Sequence, residues 1–369
     1  TPQVTKTQNQ LTVAANHWNT PLSIRTIHST ALTPDVVFSE THQDVGEADS
    51  GIDDNQLVMV SDPSNNIITM MYPGFTVLKM SRSIDAGATW TTTTPKKETT
   101  NTEEVILQGG QLIGGGSGGP DGSAILLFDL SAYLHICGTG YGSGTWTRSS
   151  EPYSNFSTIV LNTSLAYTTD NTYVAAYVTS EGKLYTNVTN DGGDTWGTEV
   201  ERGIIGELPV TSMTTVTCAY SPVDDSVFVA YLDETTLGGV MVVFELRGCD
   251  DYHPASITPH LSHAGKVDID SSIAMSTLDG MAVLYTRSAF GSLQVCRVAS
   301  AERGKGTTIG SLIDLKTNTD ISLVGSMRLG ESIPYTVADT KMNGIAWRIL
   351  NTNTTGRASG CYFTELAVE

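Results

Sequence analysis

The stretch Ser83-Ile84-Asp85-Ala86-Gly87-Ala88-Thr89-Trp90, "SIDAGATW", decides the fold, because a near copy, "TNDGGDTW", returns at residues 189–196. Both open on a hydroxyl, carry Asp two places on, hold glycine inside the turn and close on Thr-Trp through Thr89-Trp90 and Thr195-Trp196. Their chemistry is that of a rigid hairpin. Asp85 or Asp191 accepts backbone N–H bonds across the turn, Gly87 or Gly193 takes a positive φ, and the Ser83 or Thr189 hydroxyl fixes the carboxylate. Trp90 or Trp196 then plugs the gap beside the next unit, burying about 200 Å².

Outward from these turns, helical periodicity is almost absent. Short β-branched and aromatic runs alternate with Gly, Asn and Asp turns. The runs group into similar units: "QLVMVSDPSNNIITMMYPGFTVLKMSRSIDAGATW", "SAILLFDLSAYLHICGTGYGSGTW" and "LAYTTDNTYVAAYVTSEGKLYTNVTNDGGDTW". Each closes on tryptophan, and Trp90, Trp146 and Trp196 stand 56 and 50 residues apart, the period of one four-stranded propeller blade. Three later units keep the rhythm without the tryptophan, beginning at "TTVTCAY", "SSIAMST" and "SLVGSMR". The chain therefore reads as all-β: a single six-bladed β-propeller over residues 1–369, built of four-stranded antiparallel blades, with seven blades as the alternative. Residues 1–20 read as an N-terminal extension or closing strand. The strand-like ends "QLTVAANHWNTPLSIRTIHS" and "GCYFTELAV" are expected to complete one blade together, since a ring must hide its edge strands.

Lys plus Arg number 20 against 39 Asp plus Glu, a formal charge of -19 that repels nucleic acid and anionic membrane surfaces. Only 16% of residues are charged, while Thr, Ser, Asn and Gly abound, which reads as an uncharged polar, extracellular or cell-surface exterior. No apolar window reaches the roughly 18 residues of a membrane span. An opening at Thr1, with neither Met nor an apolar leader, fits processing after export. Cys137, Cys218, Cys249, Cys296 and Cys361 are widely spaced and odd in number, and read as small buried hydrophobes or one or two disulfides. Asn155, Asn162, Asn187 and Asn353 head Asn-X-Ser/Thr glycosylation acceptors.

The octapeptide resembles the Asp-box, or bacterial neuraminidase repeat, Ser/Thr-X-Asp-X-Gly-X-Thr-Trp, best known from sialidases. Residues 83–90 and 189–196 match at every defining position, and the stretch ending at Trp146 has Tyr141 where Asp belongs and Ser143 where Gly belongs. The resemblance implies a propeller with the boxes at outer turns of its blades, away from a central pocket. An active sialidase would also carry a Phe/Tyr-Arg-Ile-Pro stretch, two more arginines clamping a carboxylate, a Tyr activated by Glu, and an Asp acid/base. Here "SIRTIH" supplies Arg25 without Ile-Pro; Arg287, Arg328 and Arg348 are the further arginines, Tyr285 the candidate nucleophile and Asp49 the candidate acid. These arginines are not expected to converge on one anion.

Carboxylates concentrate in "SETHQDVGEADSGIDDN", where Glu40, Asp44, Glu47, Asp49, Asp53 and Asp54 read as one loop. It is a solvated acidic loop, or one that holds Ca²⁺ through Asp49, Asp53 and Asp54; no other cofactor is implied. His28 and His42 lie nearby without metal-ligand spacing. "GGGSGGPDGS", centred on Ser117, contains nucleotide-binding and nucleophile-elbow patterns, but both need a following helix and this run leads into "AILLF", so it reads as a blade loop.

Two functions follow. One is a non-catalytic propeller whose partners are glycans or copies of itself in an extracellular assembly. The alternative is an exo-sialidase-type hydrolase using an Arg clamp and a Tyr/Glu nucleophile pair.

Overall fold

A computed structural model of the chain describes residues 3–17, 23–33, 36–47, 57–62, 65–73, 78–93, 114–118, 124–129, 134–139, 146–148, 160–169, 172–192, 195–204, 216–233, 240–247, 258–259, 273–287, 293–299, 308–309, 313–316, 325–337, 339–351 and 360–367. All regular structure within them is strand, in seven antiparallel sheets that follow one another along the chain.

Sheet 1 is β1 (Gln3–Lys6), β2 (Leu11–His17), β3 (Ser23–His28) and β4 (Gln43–Glu47). Sheet 2 is β5 (Val58–Asp62), β6 (Ile67–Pro73), β7 (Leu78–Ser83) and β8 (Thr91–Thr93). Sheet 3 is β9 (Gly114–Gly118), β10 (Ala124–Asp129), β11 (Leu134–Thr139) and β12 (Trp146–Arg148). Sheet 4 is β13 (Val160–Tyr167), β14 (Tyr173–Thr179), β15 (Lys183–Thr189) and β16 (Val200–Ile204). Sheet 5 is β17 (Val216–Ser221), β18 (Ser226–Asp233), β19 (Val240–Arg247) and β20 (Thr258–Pro259). Sheet 6 is β21 (Ala274–Leu278), β22 (Met281–Arg287), β23 (Leu293–Ala299), β24 (Thr308–Ile309) and β25 (Ile313–Lys316), the last two both pairing with β23. Sheet 7 is β26 (Gly325–Val337), β27 (Thr340–Asn351) and β28 (Gly360–Ala367).

Within each sheet the strands meander in sequence order, as short turns between antiparallel neighbours dictate. The first strands then pack side by side in cyclic order: β1 beside β5, β5 beside β9, and so on through β13, β17, β21 and β26, which returns to β1. The core lies between sheets. Val174, Ala176 and Val178 of β14 meet Val227, Val229 and Tyr231 of β18, while Phe228 and Ala230 on the other face of β18 meet Ala282 and Leu284 of β22. Alternate residues of one strand thus serve two neighbours, which is why these strands are apolar on both faces.

Seven sheets stand among the described residues, the number of the seven-bladed alternative rather than of the six units, because β1–β4 form a sheet of their own ahead of the first tryptophan-closed unit. Other expectations need correcting. The N- and C-terminal strands do not share a sheet, since β1 pairs with β2 and β28 with β27. Residues 1–20 accordingly include two sheet strands rather than an extension, and Gln43–Glu47 of the acidic stretch is β4. The glycine run at Ser117 is the first strand of sheet 3, lying between β5 and β13, where absent side chains let neighbouring backbones approach.

Candidate functional site

The two octapeptides adopt one geometry. Asp85 Oδ1 accepts the Ser83 hydroxyl at 2.7 Å and the Thr89 N–H at 2.8 Å, and Oδ2 accepts the Thr89 hydroxyl at 2.6 Å. Asp191 repeats this with the Thr189 hydroxyl at 2.7 Å, the Thr195 N–H at 2.9 Å and the Thr195 hydroxyl at 2.5 Å. Burial pushes both carboxyls up, but the bonds from Thr89 and Ser83, or Thr195 and Thr189, outweigh it and hold each below the ordinary carboxylate range. Gly87 takes the expected positive φ, 94°, and a positive φ also falls one place earlier, at Ala86 (60°) in the first turn and Gly192 (75°) in the second. Gly193 lies outside the described residues.

These turns join sheets. Gln10 of sheet 1 donates to the Ala86 carbonyl, Gln43 to the Ala88 carbonyl at 3.1 Å, and a Cβ on Gly87 would stand 2.3 Å from His28 Cε1. Trp90 packs with Ala14, Ile24 and Val45 of sheet 1, and so faces the preceding sheet, not the next. Trp196 likewise packs on Tyr173, Ala175 and Tyr177, the face of sheet 4 turned away from sheet 5. Trp146 opens the fourth strand of sheet 3, close to where Trp90 precedes β8.

Two of the catalytic candidates, Arg25 and Tyr285, are engaged by neighbouring side chains. Arg25 sits on the third strand of sheet 1, its Nε 2.6 Å from Asp44 Oδ1 on β4. Tyr285 is fully buried, donates its hydroxyl to Asn343 Oδ1 at 2.7 Å, and is pushed strongly up by burial. Asn343 in turn donates to Ser276 Oγ at 2.8 Å, so the phenol belongs to a closed polar link between sheets 6 and 7. A nucleophile needs access and an activating base; this hydroxyl has neither. Arg328 and Arg348 are cross-strand register partners on β26 and β27, and Arg287 ends β22 of the adjacent sheet. Asp49, Asp53, Asp54, Asn155 and Asn353 lie outside the described residues. Among those described, no three His, Cys, Asp or Glu residues are grouped to hold a metal ion. Asn162 Oδ1 accepts the Val216 N–H at 3.2 Å between sheets 4 and 5, and Asn187 is buried with Oδ1 on the Val188 N–H. Cys218 and Cys296 are buried free thiols, each pushed up to about 12 by burial.

A further cluster of aromatic and charged side chains lies on sheet 4. Across sheet 4, Tyr177, Tyr185 and Glu201 are successive cross-strand partners. The half-buried Tyr185 ring stacks on buried Tyr177, centroids 5.8 Å apart, and its hydroxyl lies 3.4 Å from Glu201 Oε2. Lys183 Nζ stands 3.3 Å from the same carboxylate, and Tyr177 donates to Glu199. Sequence reading missed this set because its members share a row only once the strand register is known.

No family model matches the sequence, and no relative is found among curated proteins. Solved structures do resemble it. The NanB sialidase of Streptococcus pneumoniae superposes with a TM-score of 0.52 at 11% identity, over 95% of this chain and 65% of that one. AofleA from Arthrobotrys oligospora gives 0.51 at 13% over 86% of each chain, and a protein of unknown function from Dyadobacter fermentans gives 0.51 at 13% over 85% of this chain and 94% of that one. The fold is of the β-propeller type. At these identities the likeness speaks for the fold alone.

Proposed function

We propose that this is a secreted or cell-surface propeller of seven blades, non-catalytic, that recognises neutral or amino sugars. The cyclic packing of the seven first strands supports the blade count, and the turns at Ser83 and Thr189 are read as Asp-boxes that staple blades. The observation that carries the glycan reading is the Tyr185 platform. A half-exposed aromatic face backed by a second ring accepts the C–H face of a pyranose, while Glu201 and Lys183 offer an acceptor and a donor to ring hydroxyls. Glu181, Glu199 and Glu201 outnumber Lys183 there, and the chain carries -19, so acidic sugars are disfavoured. A glycan array tests this: the unmodified protein binds neutral or amino-sugar glycans, and Tyr185→Ala weakens binding by about tenfold or more, a loss of about 1.4 kcal/mol. Failure to bind any glycan would overturn it.

The second reading is a sialidase-type hydrolase, favoured by the register pairing of Arg328 with Arg348 beside the sheet that ends in Arg287. Its test is release of sialic acid from a fluorogenic sialoside between about pH 4 and 8, lost in Arg348→Ala. Engagement of Arg25 by Asp44 and burial of Tyr285 argue that no release occurs.

A further inference from the structure

Adjacent sheets elsewhere in the molecule are tied by the chain itself, which leaves the last strand of one sheet to begin the next. Sheets 1 and 7 hold the first and last strands of the sequence, and among the described residues they exchange no strand. Sheet 7 also has three strands among the described residues where its neighbours have four or five. Something other than backbone pairing must hold this seam.

The segment between β3 and β4 lies on it. Residues 28–30 pair with residues 37–39, with a bridge between Ser29 and Phe38, the Thr30 N–H on the Val37 carbonyl at 2.9 Å and the Ser39 N–H on the His28 carbonyl at 2.8 Å. This arm leaves sheet 1 and packs Leu32, Val36 and Phe38 against Tyr335, Met342 and Phe363 of sheet 7. Phe38 meets Phe363 edge to face, centroids 5.4 Å apart. The Phe363 ring approaches β27 so closely that a Cβ on Gly344 would stand 2.1 Å from its Cζ, which explains glycine there. One charge-bearing contact completes the set: the Val36 N–H donates to Glu365 Oε2 at 3.0 Å, while the Tyr335 hydroxyl donates to Oε1 of the same carboxylate. Deeper in the seam, Val4 and Val13 of sheet 1 meet Ala346 of sheet 7.

We propose that Leu32, Val36 and Phe38 form a clasp that closes the ring, and that the sheet 1–sheet 7 seam is where the ring first opens. Edge-to-face aromatic contact and a charge-assisted bond to a backbone N–H replace the ladder that strand exchange would have supplied. A joint without covalent continuity relies on such contacts alone, so it forms the low-stability end of local opening.

The inference rests on the ring reading but not on glycan recognition, and two measurements separate the failures. Small-angle scattering of the unmodified chain tests the ring, with a radius of gyration of about 21 Å expected for a compact domain of this length. Native-state amide exchange then tests the clasp. Phe38→Ala should speed exchange in β1 and β28 by about tenfold or more, leaving β14 and β18 unchanged. Glu365→Gln, which keeps the volume and removes the charge, should act at the same strands more weakly, and it reports even if Phe38→Ala fails to fold. Exchange accelerated evenly over all sheets, or unchanged at β1 and β28, would overturn the clasp; a compact radius would leave the ring standing.

Discussion

Asp85 and Asp191 each bind three donors within a single turn, which makes them the residues whose loss is easiest to forecast. Asp85→Ala or Asp191→Ala leaves a Thr N–H and two hydroxyls to find new partners, and should lower stability by about 1–3 kcal/mol. Thermal melts would register this while glycan binding stays intact; lost binding with an unchanged melt would mean the turns serve a ligand. Ala86 is held at φ 60°, a conformation costing roughly 1–2 kcal/mol for an L side chain, where the second turn has Gly192. Ala86→Gly removes that strain but adds chain entropy to the unfolded state, so a net gain of up to about 1 kcal/mol is expected. Acid should act through the same turns. Burial holds the His28 imidazole below 6.5 against the opposing pull of Gln43 and Asp85. Its depressed value means the unfolded chain takes the proton first, so stability is full above 6.5 and falls as pH drops beneath it. The two depressed carboxyls contribute stability that is present above 3.8 and lost as pH falls through their folded values. Melting temperature against pH should therefore decline from neutrality downward, and His28→Gln should flatten the upper part; an unaltered upper slope would refute the assignment.

At the scale of elements, sheets are joined by side chains of one first strand reaching the backbone of another. Ser164 on β13 accepts the Cys218 N–H of β17 at 3.0 Å, and the Ser61 hydroxyl of β5 donates to the Lys6 carbonyl of β1 at 2.9 Å. Ser164→Ala strands a half-buried amide and should cost about 1–2 kcal/mol by denaturant titration, an effect a surface serine would not have. Such joints were illegible in sequence, since register, not composition, decides which hydroxyl faces which amide. The blades themselves were legible where a tryptophan turn marked them. A second signature went unread: Asn66, Asp225, Asp279 and Asp339 all take positive φ at the turn between the first and second strands of their sheets. Asn and Asp tolerate that conformation, so "SNN", "VDD", "LDG" and "ADT" announce sheets 2, 5, 6 and 7 without any tryptophan. Sheet 1 stayed hidden because β4 lies within a run of carboxylates, where charge density suggested loop. Its Asp44 is instead the cross-strand partner of Arg25, which is what withdraws that arginine from any clamp.

For the whole molecule, the likeness to solved propellers speaks for the fold, and the sugar-binding reading proposed above rests on one cluster of side chains. That proposal takes uncharged or amino sugars as the ligands, because the chain is acidic, and uses Tyr177, Tyr185 and Glu201 on the second, third and fourth strands of sheet 4. Saturation-transfer NMR on a mixture of neutral, amino-sugar and sialylated oligosaccharides, followed over hours with the unmodified protein, reads binding and hydrolysis at once. The account predicts transfer to intact neutral or amino-sugar glycans, weakened by Tyr185→Ala, with no free monosaccharide appearing. Free sialic acid accumulating in the spectrum, or no transfer to any sugar, would contradict it.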